Sequence, residues 1–165
     1  MAKRQVFFSF EYRKDAWKAS EIRNMGKVSE ASTFSDNDWE DVKYKSDLAI
    51  RNWIDNQLVM RSCIVVLVGS TTASRKWVKY EIEKAYELNK GIVGIYVHGL
   101  KDNYGNQTIQ GPNPFYGLRN KDGERLSNFV NCYDPPYLSS INVYNDINDR
   151  IEGLIEDAIS NRWLY

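Results

Sequence analysis

The sequence predicts an α/β protein with a three-layer, doubly wound parallel sheet of about five strands. Two stretches, CIVVLVG at 63–69 and GIVGIYV at 91–97, are continuously apolar and rich in β-branched residues. Such runs are typical of strands that helices cover on both faces. Segments with apolar residues at helical spacing alternate with the strands, and this alternation favours parallel strands joined by right-handed crossovers.

The first third of the chain is predicted to hold two strands and two helices. The aromatic run at 6–10 indicates a buried strand, and the segment from Asp15 to about Met25 indicates a helix with Asp15 as its N-cap. A short strand is predicted at 32–35. The second helix is predicted within 41–58, where the apolar positions at helical spacing are Ala49, Ile50, Trp53, Ile54 and Leu58.

The rest of the chain alternates in the same way. A helix with Ser74 as its N-cap follows the strand at 63–69, and a last strand is predicted at 128–133. The strand at 91–97 is followed by a loop at 98–125 that is rich in Gly, Asn, Asp and Pro. Loops of this length are often functional. A C-terminal helix is marked by Ile147, Ile151, Leu154, Ile155 and Ala158.

These elements predict a flavodoxin-like sheet, and such sheets bind ligands beyond the carboxyl ends of their strands. The segments that follow those ends are 9–14, 69–77 and 98–106. Functional residues are therefore expected in these three segments.

Composition disfavours several classes of partner. The 165 residues suit one domain, 1–165, and the 22 Lys and Arg balance the 22 Asp and Glu. A chain without net charge or a basic run favours neither a nucleic-acid nor a membrane partner. Cys63 and Cys132 are isolated and His98 is the only histidine, so no zinc site is expected. With no export signal, the expected location is the cytoplasm.

Several common chemistries lack their motifs. The sequence contains neither the glycine-rich dinucleotide fingerprint nor the P-loop, and no nucleophile elbow accompanies His98. His98 is therefore interpreted as a residue that simply follows a strand. The strand at 63–69 ends in Gly69 and is followed by Ser70, where a phosphorelay receiver needs an acidic residue, so phosphorelay is disfavoured.

Glu81 is the strongest candidate for a catalytic residue. The helix within 74–88 has one apolar side, and Glu81 falls in the middle of that side. The helix begins near the carboxyl end of a strand, and its side chains point back toward that end. Two interpretations stay open: a catalytic carboxylate facing a ribose, or a structural one paired with an arginine. The arginines considered are Arg13, Arg23 and Arg75.

Three motifs together resemble a TIR domain, and more narrowly the TIR-like proteins of bacterial Thoeris antiphage systems. They are KRQVFFSFEYRKD at 3–15, SRKWVKYEI at 74–82 and GIVGIYV at 91–97. The resemblance covers the chain from Lys3 to about Phe115. The Arg-Asp-x-x-Pro-Gly motif of many signalling TIR domains is missing, which disfavours adaptor-style signalling.

The resemblance implies an enzyme that consumes NAD as its substrate and uses neither a cofactor nor a metal. In enzymatic TIR domains a glutamate on this helix cleaves the nicotinamide–ribose bond, and the matching residue is Glu81. For Thoeris proteins the resemblance implies a cyclic ADP-ribose-type signal molecule that reaches a separate effector protein. Self-association of TIR-like domains is a further expectation.

The resemblance also implies a set of NAD-binding residues. They are Phe8, Ser9, Phe10, Tyr12, Arg13, Arg23, Asn24, Asp36, Trp39, Ser70 and Trp77. The first four would line the adenine and ribose side, and Arg13 would contact the diphosphate. Asp36 and Trp39 lie in the loop that closes over substrate in TIR enzymes. Each residue type also has an ordinary structural role, such as aromatic packing for Phe8 or contacts at a helix end for Arg23.

Two other functions remain open from the sequence. One is a non-catalytic TIR-like module that binds nucleotides or proteins, favoured by the missing loop motif. The other is an enzyme similar to nucleoside deoxyribosyltransferases, which combine a similar sheet with a carboxylate nucleophile.

Overall fold

The computed structural model describes residues 3–29 and 44–165. Within these ranges, four strands form one parallel sheet whose spatial order follows the sequence. The strands are β1 (Val6–Ser9), β2 (Cys63–Val68), β3 (Gly91–Tyr96) and β4 (Cys132–Tyr133). Val6 pairs with Cys63, which pairs in turn with Gly91, so the first three strands begin level with one another.

Four α-helices accompany the strands in the described part of the chain. They are α1 (Tyr12–Arg23), α2 (Asp47–Val59), α3 (Lys76–Glu87) and α4 (Ser140–Ser160). Serine side chains cap two of them: Ser46 Oγ accepts from Ala49 N at 3.2 Å, and Ser139 Oγ accepts from Asn142 N at 3.2 Å. Over the described ranges, no helix has the length and apolar character needed to span a bilayer.

The sheet lies between two layers of helices, and each face has its own apolar core. Alternate strand residues such as Phe8 and Val65 pack with α1 and α4. Their neighbours Phe7 and Ile64 pack with α2 and α3 on the other face. This confirms the predicted three-layer, doubly wound α/β fold and explains why β2 and β3 are apolar throughout. Of the about five predicted strands, the one at 32–35 lies outside the described residues.

Two predicted N-caps and one strand boundary are wrong. Helix α1 begins at Tyr12, because Glu11 O accepts from the backbone N–H groups of Lys14 and Asp15 and closes the first turn there. Asp15 is therefore inside the helix. The N-cap position of α3 is Arg75, without a side-chain hydrogen bond, because Ser74 belongs to a short 3-10 turn at 72–74.

The last strand is shorter than the predicted 128–133. Residues 126–128 form a 3-10 turn, and Val130 N donates to Leu126 O at 2.9 Å, so the chain curls before it reaches the sheet. Only Cys132 and Tyr133 pair with β3.

The long loop at 98–125 packs against the carboxyl end of the sheet. Thr108 N donates to His98 O at 3.1 Å, and Gly111 lies directly over the turn that follows β2. A Cβ at Gly111 would come within 2.1 Å of Gly69 O, so only glycine permits this approach. The loop is thereby held beside the region where the fold is expected to bind a ligand.

Candidate active site

A cleft of about 710 Å³ opens at the carboxyl ends of β1 and β2. One wall comes from the start of α1 and the other from the start of α3. This volume is in the range of small-molecule sites. The lining residues are Phe8, Phe10, Glu11, Tyr12, Arg13, Ala16, Arg75, Lys76, Trp77, Val78 and Glu81.

Glu81 lies in this cleft and is only 7% exposed. Its position on α3 turns it toward the apolar side of the helix, next to the buried Val78 and Ile82. Ser9, the last residue of β1, donates its hydroxyl proton to Glu81 Oε2. The hydrogen bond joins two residues that are 72 positions apart in the sequence, and it holds the carboxyl group at the end of the sheet.

Burial raises the pKa of Glu81 to about 8, because the charged form loses its hydration. The hydrogen bond from Ser9 opposes this change, since it favours the ionised carboxylate. The alternative interpretation, in which Glu81 pairs with an arginine, is not supported: among the described residues, Glu81 is hydrogen-bonded to Ser9, and Arg75 forms its ion pair with Glu11. Glu81 is thus a carboxyl group with a strongly raised pKa inside a cleft, as is common at functional sites.

Aromatic side chains form much of the cleft wall. The rings of Phe10 and Tyr12 are stacked, with centroids 6.3 Å apart and an interplanar angle of 27°. Trp77 stands opposite on α3, and its ring meets Tyr80 edge-on at 5.9 Å. Phe8 is almost fully buried in the core and also contributes to the cleft. These rings offer flat surfaces on which a base can stack.

Charged residues surround the cleft mouth. Glu11 is buried, and its Oε2 accepts from the Thr71 hydroxyl. Lys14 Nζ donates to Thr71 Oγ1 at 2.9 Å, and Arg75 Nε lies 3.8 Å from Glu11 Oε1. Lys76 is paired with Asp47. The mouth therefore carries several cations and one internal carboxylate.

The structure brings together most of the residues predicted to bind NAD. Six predicted residues line the cleft, counting Glu81. Ser9 does not line it but donates a hydrogen bond to Glu81. The six are Phe8, Phe10, Tyr12, Arg13, Trp77 and Glu81. Their proposed contacts with NAD stay predictions.

Three predicted residues that the structure describes are not brought to the cleft. Arg23 and Asn24 lie at the opposite end of α1, roughly 16 Å from Tyr12 along the helix axis, and Asn24 lines a separate depression. Ser70 follows β2 but does not line the cleft, and its carbonyl oxygen lies against Gly111. Asp36 and Trp39 lie outside the described residues.

The cleft also contains residues that the sequence had not singled out as binding residues. They are Glu11, Ala16, Arg75, Lys76 and Val78. Glu11 follows β1 within the predicted ligand-binding segment 9–14, and Arg75 and Lys76 lie in the segment 69–77. The signal that could have found them is their closeness to two neighbouring strand ends.

A buried ion pair lies behind the cleft. Lys18 Nζ is 3.9 Å from Asp15 Oδ1, and the Lys18 side chain is 0% exposed. Burial raises the pKa of Asp15 to about 6 and lowers the pKa of Lys18. Asp15 Oδ2 lies against Gly69, and Lys18 Nζ donates to Thr108 Oγ1 at 3.5 Å. The pair therefore ties α1 to the end of β2 and to the long loop.

Metal-binding side chains are not clustered within 3–29 and 44–165. No group of three or more His, Cys, Asp or Glu residues there is arranged to hold a metal ion.

Comparison with known proteins relates both the fold and the cleft to one family. Residues 7–102 match the family described as Thoeris protein ThsB, TIR-like domain, and this range includes every residue that lines the cleft. The chain is also 41% identical, over 134 residues, to a protein of Bacillus cereus (strain MSX-D12). That protein is provisionally named cyclic ADP-D-ribose synthase ThsB1, and the match covers 76% of this chain and 69% of the relative.

Proposed function

The chain belongs to the TIR-like domain family of the Thoeris protein ThsB, and we propose that it consumes NAD to make a signal molecule. The proposed reaction cleaves the nicotinamide–ribose bond and yields a product of the cyclic ADP-ribose type. The name of the Bacillus cereus relative supports this product class. In antiphage defence, the product activates a separate effector protein.

The observation that carries the proposal is the position of Glu81. It is a buried carboxyl group in an aromatic-lined cleft at the carboxyl ends of β1 and β2. The walls can hold flat rings, and the mouth carries cations that suit a diphosphate. A dinucleotide has both the flat rings and the diphosphate that these surfaces would bind, and its reacting ribose would lie at Glu81.

The proposed reaction breaks the bond between the ribose C1′ and the pyridinium nitrogen of NAD. The bonding electrons leave with nicotinamide, which becomes neutral, and positive charge develops on the ribose. Ionised Glu81 stabilises that charge, and the hydroxyl of Ser9 orients the carboxylate. An adenine nitrogen of the same molecule then attacks C1′ in cyclisation, or water attacks C1′ in hydrolysis, and in either case one proton is released to solvent.

Substrate binding also helps to ionise Glu81. In the free cleft, burial keeps the pKa of Glu81 at about 8, so the neutral form dominates at pH 7. A cationic nicotinamide ring placed beside the carboxyl group lowers its pKa, because opposite charges favour the ionised form. The substrate therefore promotes the charge state that its own cleavage requires.

The proposed partners are NAD, an effector protein reached through the nucleotide product, and further copies of this TIR-like chain. The proposed location is the cytoplasm, in keeping with Cys63 and Cys132, which are both free thiols.

Nicotinamide release tests the proposal. Purified protein and extracts of phage-infected cells carrying the gene are incubated with NAD, and the products are identified by mass spectrometry. Wild type should release nicotinamide and form a cyclic ADP-ribose-type product, whereas Glu81→Gln should lose both activities. Glu83→Gln is the matched control, because it removes an exposed carboxylate from the same helix and should leave activity unchanged.

The proposal is refuted if Glu81→Gln retains full activity, or if neither wild-type preparation releases nicotinamide. Binding of NAD without cleavage would favour a nucleotide-binding module instead. Base exchange on deoxyribonucleosides would identify a deoxyribosyltransferase-like enzyme.

A further inference from the structure

Four side chains connect the two walls of the cleft at its mouth. Glu11 and Lys14 come from the β1–α1 side, and Thr71 and Arg75 come from the segment between β2 and α3. We call this group the mouth bridge. Lys14 donates to Thr71, Thr71 donates to Glu11, and Arg75 lies next to the same carboxylate.

The two ends of the mouth bridge are held differently. The Glu11 side chain is 6% exposed and is fixed by the hydrogen bond from Thr71. The Arg75 side chain is 56% exposed, and its Nε lies 3.8 Å from Glu11 Oε1. That distance exceeds the usual length of an N–H···O hydrogen bond, and the guanidinium end of the pair is open to solvent, which weakens the attraction. Arg75 is therefore a loosely held guanidinium beside a fixed carboxylate.

The two lysines near the mouth each make a close hydrogen bond. Lys14 Nζ is hydrogen-bonded to Thr71 Oγ1. Lys76 Nζ is paired with Asp47 and also lies 4.8 Å from the centre of the Trp77 ring. Arg75 differs from both, because its guanidinium can bind an incoming anion without first breaking a close hydrogen bond to the protein.

Arg75 also lies at a suitable distance from Glu81 to contact the diphosphate. It precedes Glu81 by six residues, which corresponds to about 9 Å along the axis of α3. In a dinucleotide, the ribose separates the reacting carbon from the diphosphate. A ribose at Glu81 therefore directs the diphosphate toward the mouth, where Arg13 stands on one wall and Arg75 on the other.

We propose that Arg75 binds the diphosphate of the substrate and that Glu11 is its internal counter-anion, which the diphosphate displaces. This inference rests on the proposed function for the identity of the substrate. Arginine suits the role because its planar fork donates two parallel hydrogen bonds to phosphate oxygens. Glu11 keeps the guanidinium at the mouth of the free enzyme and competes with the incoming anion.

The inference makes opposite predictions for the two residues. Arg75→Ala removes the side chain that binds the diphosphate. It should weaken binding of ADP-ribose about tenfold, the usual effect of losing charge-assisted hydrogen bonds. Glu11→Gln keeps an oxygen that accepts from Thr71 but removes the competing charge. It should therefore tighten ADP-ribose binding by roughly threefold or more.

Isothermal titration calorimetry of the full chain tests both predictions. ADP-ribose is the probe, and adenosine, which has no phosphate, is the control ligand. Lys79→Ala is the control variant, because it removes an exposed cation from α3 outside the cleft lining. Adenosine binding should be the same in all variants, and Lys79→Ala should bind ADP-ribose as wild type does. Thermal unfolding of each variant verifies that it is folded.

The inference is overturned by unchanged ADP-ribose affinity in folded Arg75→Ala, or by an equal loss of adenosine affinity. Weaker ADP-ribose binding by Glu11→Gln overturns the displacement of Glu11, and absence of ADP-ribose binding by wild type overturns the whole inference. Nicotinamide release is measured separately on the same samples. Its absence refutes the proposed reaction, while the binding data still decide the role of Arg75.

Discussion

Replacing Glu81 with Gln should stabilise the protein, and the gain should grow as the pH rises. The fold holds Glu81 in its protonated form, because burial raises the pKa from 4.5 to about 8. The stability that belongs to this group is fully present below pH 4.5 and is lost as the pH rises through about 8. Glutamine has nearly the same shape, still accepts from Ser9 and does not ionise.

The size of the gain follows from the two pKa values. Each pH unit between 4.5 and 8 costs wild type about 1.4 kcal/mol relative to the glutamine variant. The variant should therefore be more stable by about 1 kcal/mol at pH 5 and by about 4 kcal/mol at pH 8. Urea unfolding followed by fluorescence of the five tryptophans measures both differences.

Glu83→Gln is the control for this experiment, because it removes an exposed carboxylate from the same helix. Its effect on the free energy of unfolding should stay within about 0.5 kcal/mol of wild type at both pH values. A gap between wild type and Glu81→Gln that is equal at pH 5 and pH 8 would refute the reasoning. The chain would then not hold Glu81 in a site that opposes its charge.

Three further predictions concern the cleft and its support. The kcat/KM for NAD should rise with pH through about 8, the pKa of Glu81, and Ser9→Ala should move that midpoint to higher pH because the hydrogen bond lowers this pKa. Gly69→Ala should destabilise the fold by about 1–3 kcal/mol in urea unfolding, since its Cβ would lie 2.3 Å from Asp15 Oδ2. Lys18→Met should cost about 3–5 kcal/mol in the same assay, because it leaves Asp15 buried without its opposing cation.

Each of these predictions has a contrary outcome. A pH profile that does not change in Ser9→Ala would show that the hydrogen bond has no effect on Glu81. Gly153→Ala on α4 is the control for Gly69→Ala, since nothing lies within 4 Å of its Cβ; equal effects of the two substitutions would contradict the overlap at Gly69. A Lys18→Met protein as stable as wild type would show that the ion pair does not support Asp15.

Local signals in the sequence predicted most of the fold. The strands β2 and β3 are continuously apolar because helices cover both faces, and this pattern is visible without any knowledge of the neighbours. Helices α2 and α4 follow from apolar residues at helical spacing. Glu81 was identified by the same periodicity, because a charged residue interrupted an apolar side.

Features that depend on contacts between distant segments could not be predicted in this way. The start of α1 is an example: Asp15 looks like a helix cap in sequence, yet in the structure it is buried against Gly69. Lys18 was missed because periodicity treats lysine as a surface residue, whereas its charge is buried beside Asp15.

The candidate site was predictable to a similar extent. The residues after β1 and at the start of α3 were expected at a common edge, and the structure places them there. The contact of Glu11 with Thr71 and Arg75 depends on the paths of two loops, which no local pattern encodes. Arg23 and Asn24 were assigned through family resemblance alone, and the length of α1 carries them to its far end.

The hydrogen bond between Ser9 and Glu81 has a consequence for the time at which activity can begin. Its two partners are separated by 72 residues, and β2 must pair with β1 before they can meet. A chain still emerging from the ribosome does not assemble the site until the segment that carries Glu81 has been made. For an enzyme that degrades a coenzyme needed throughout metabolism, completion of the fold is therefore itself a safeguard for the cell that makes it.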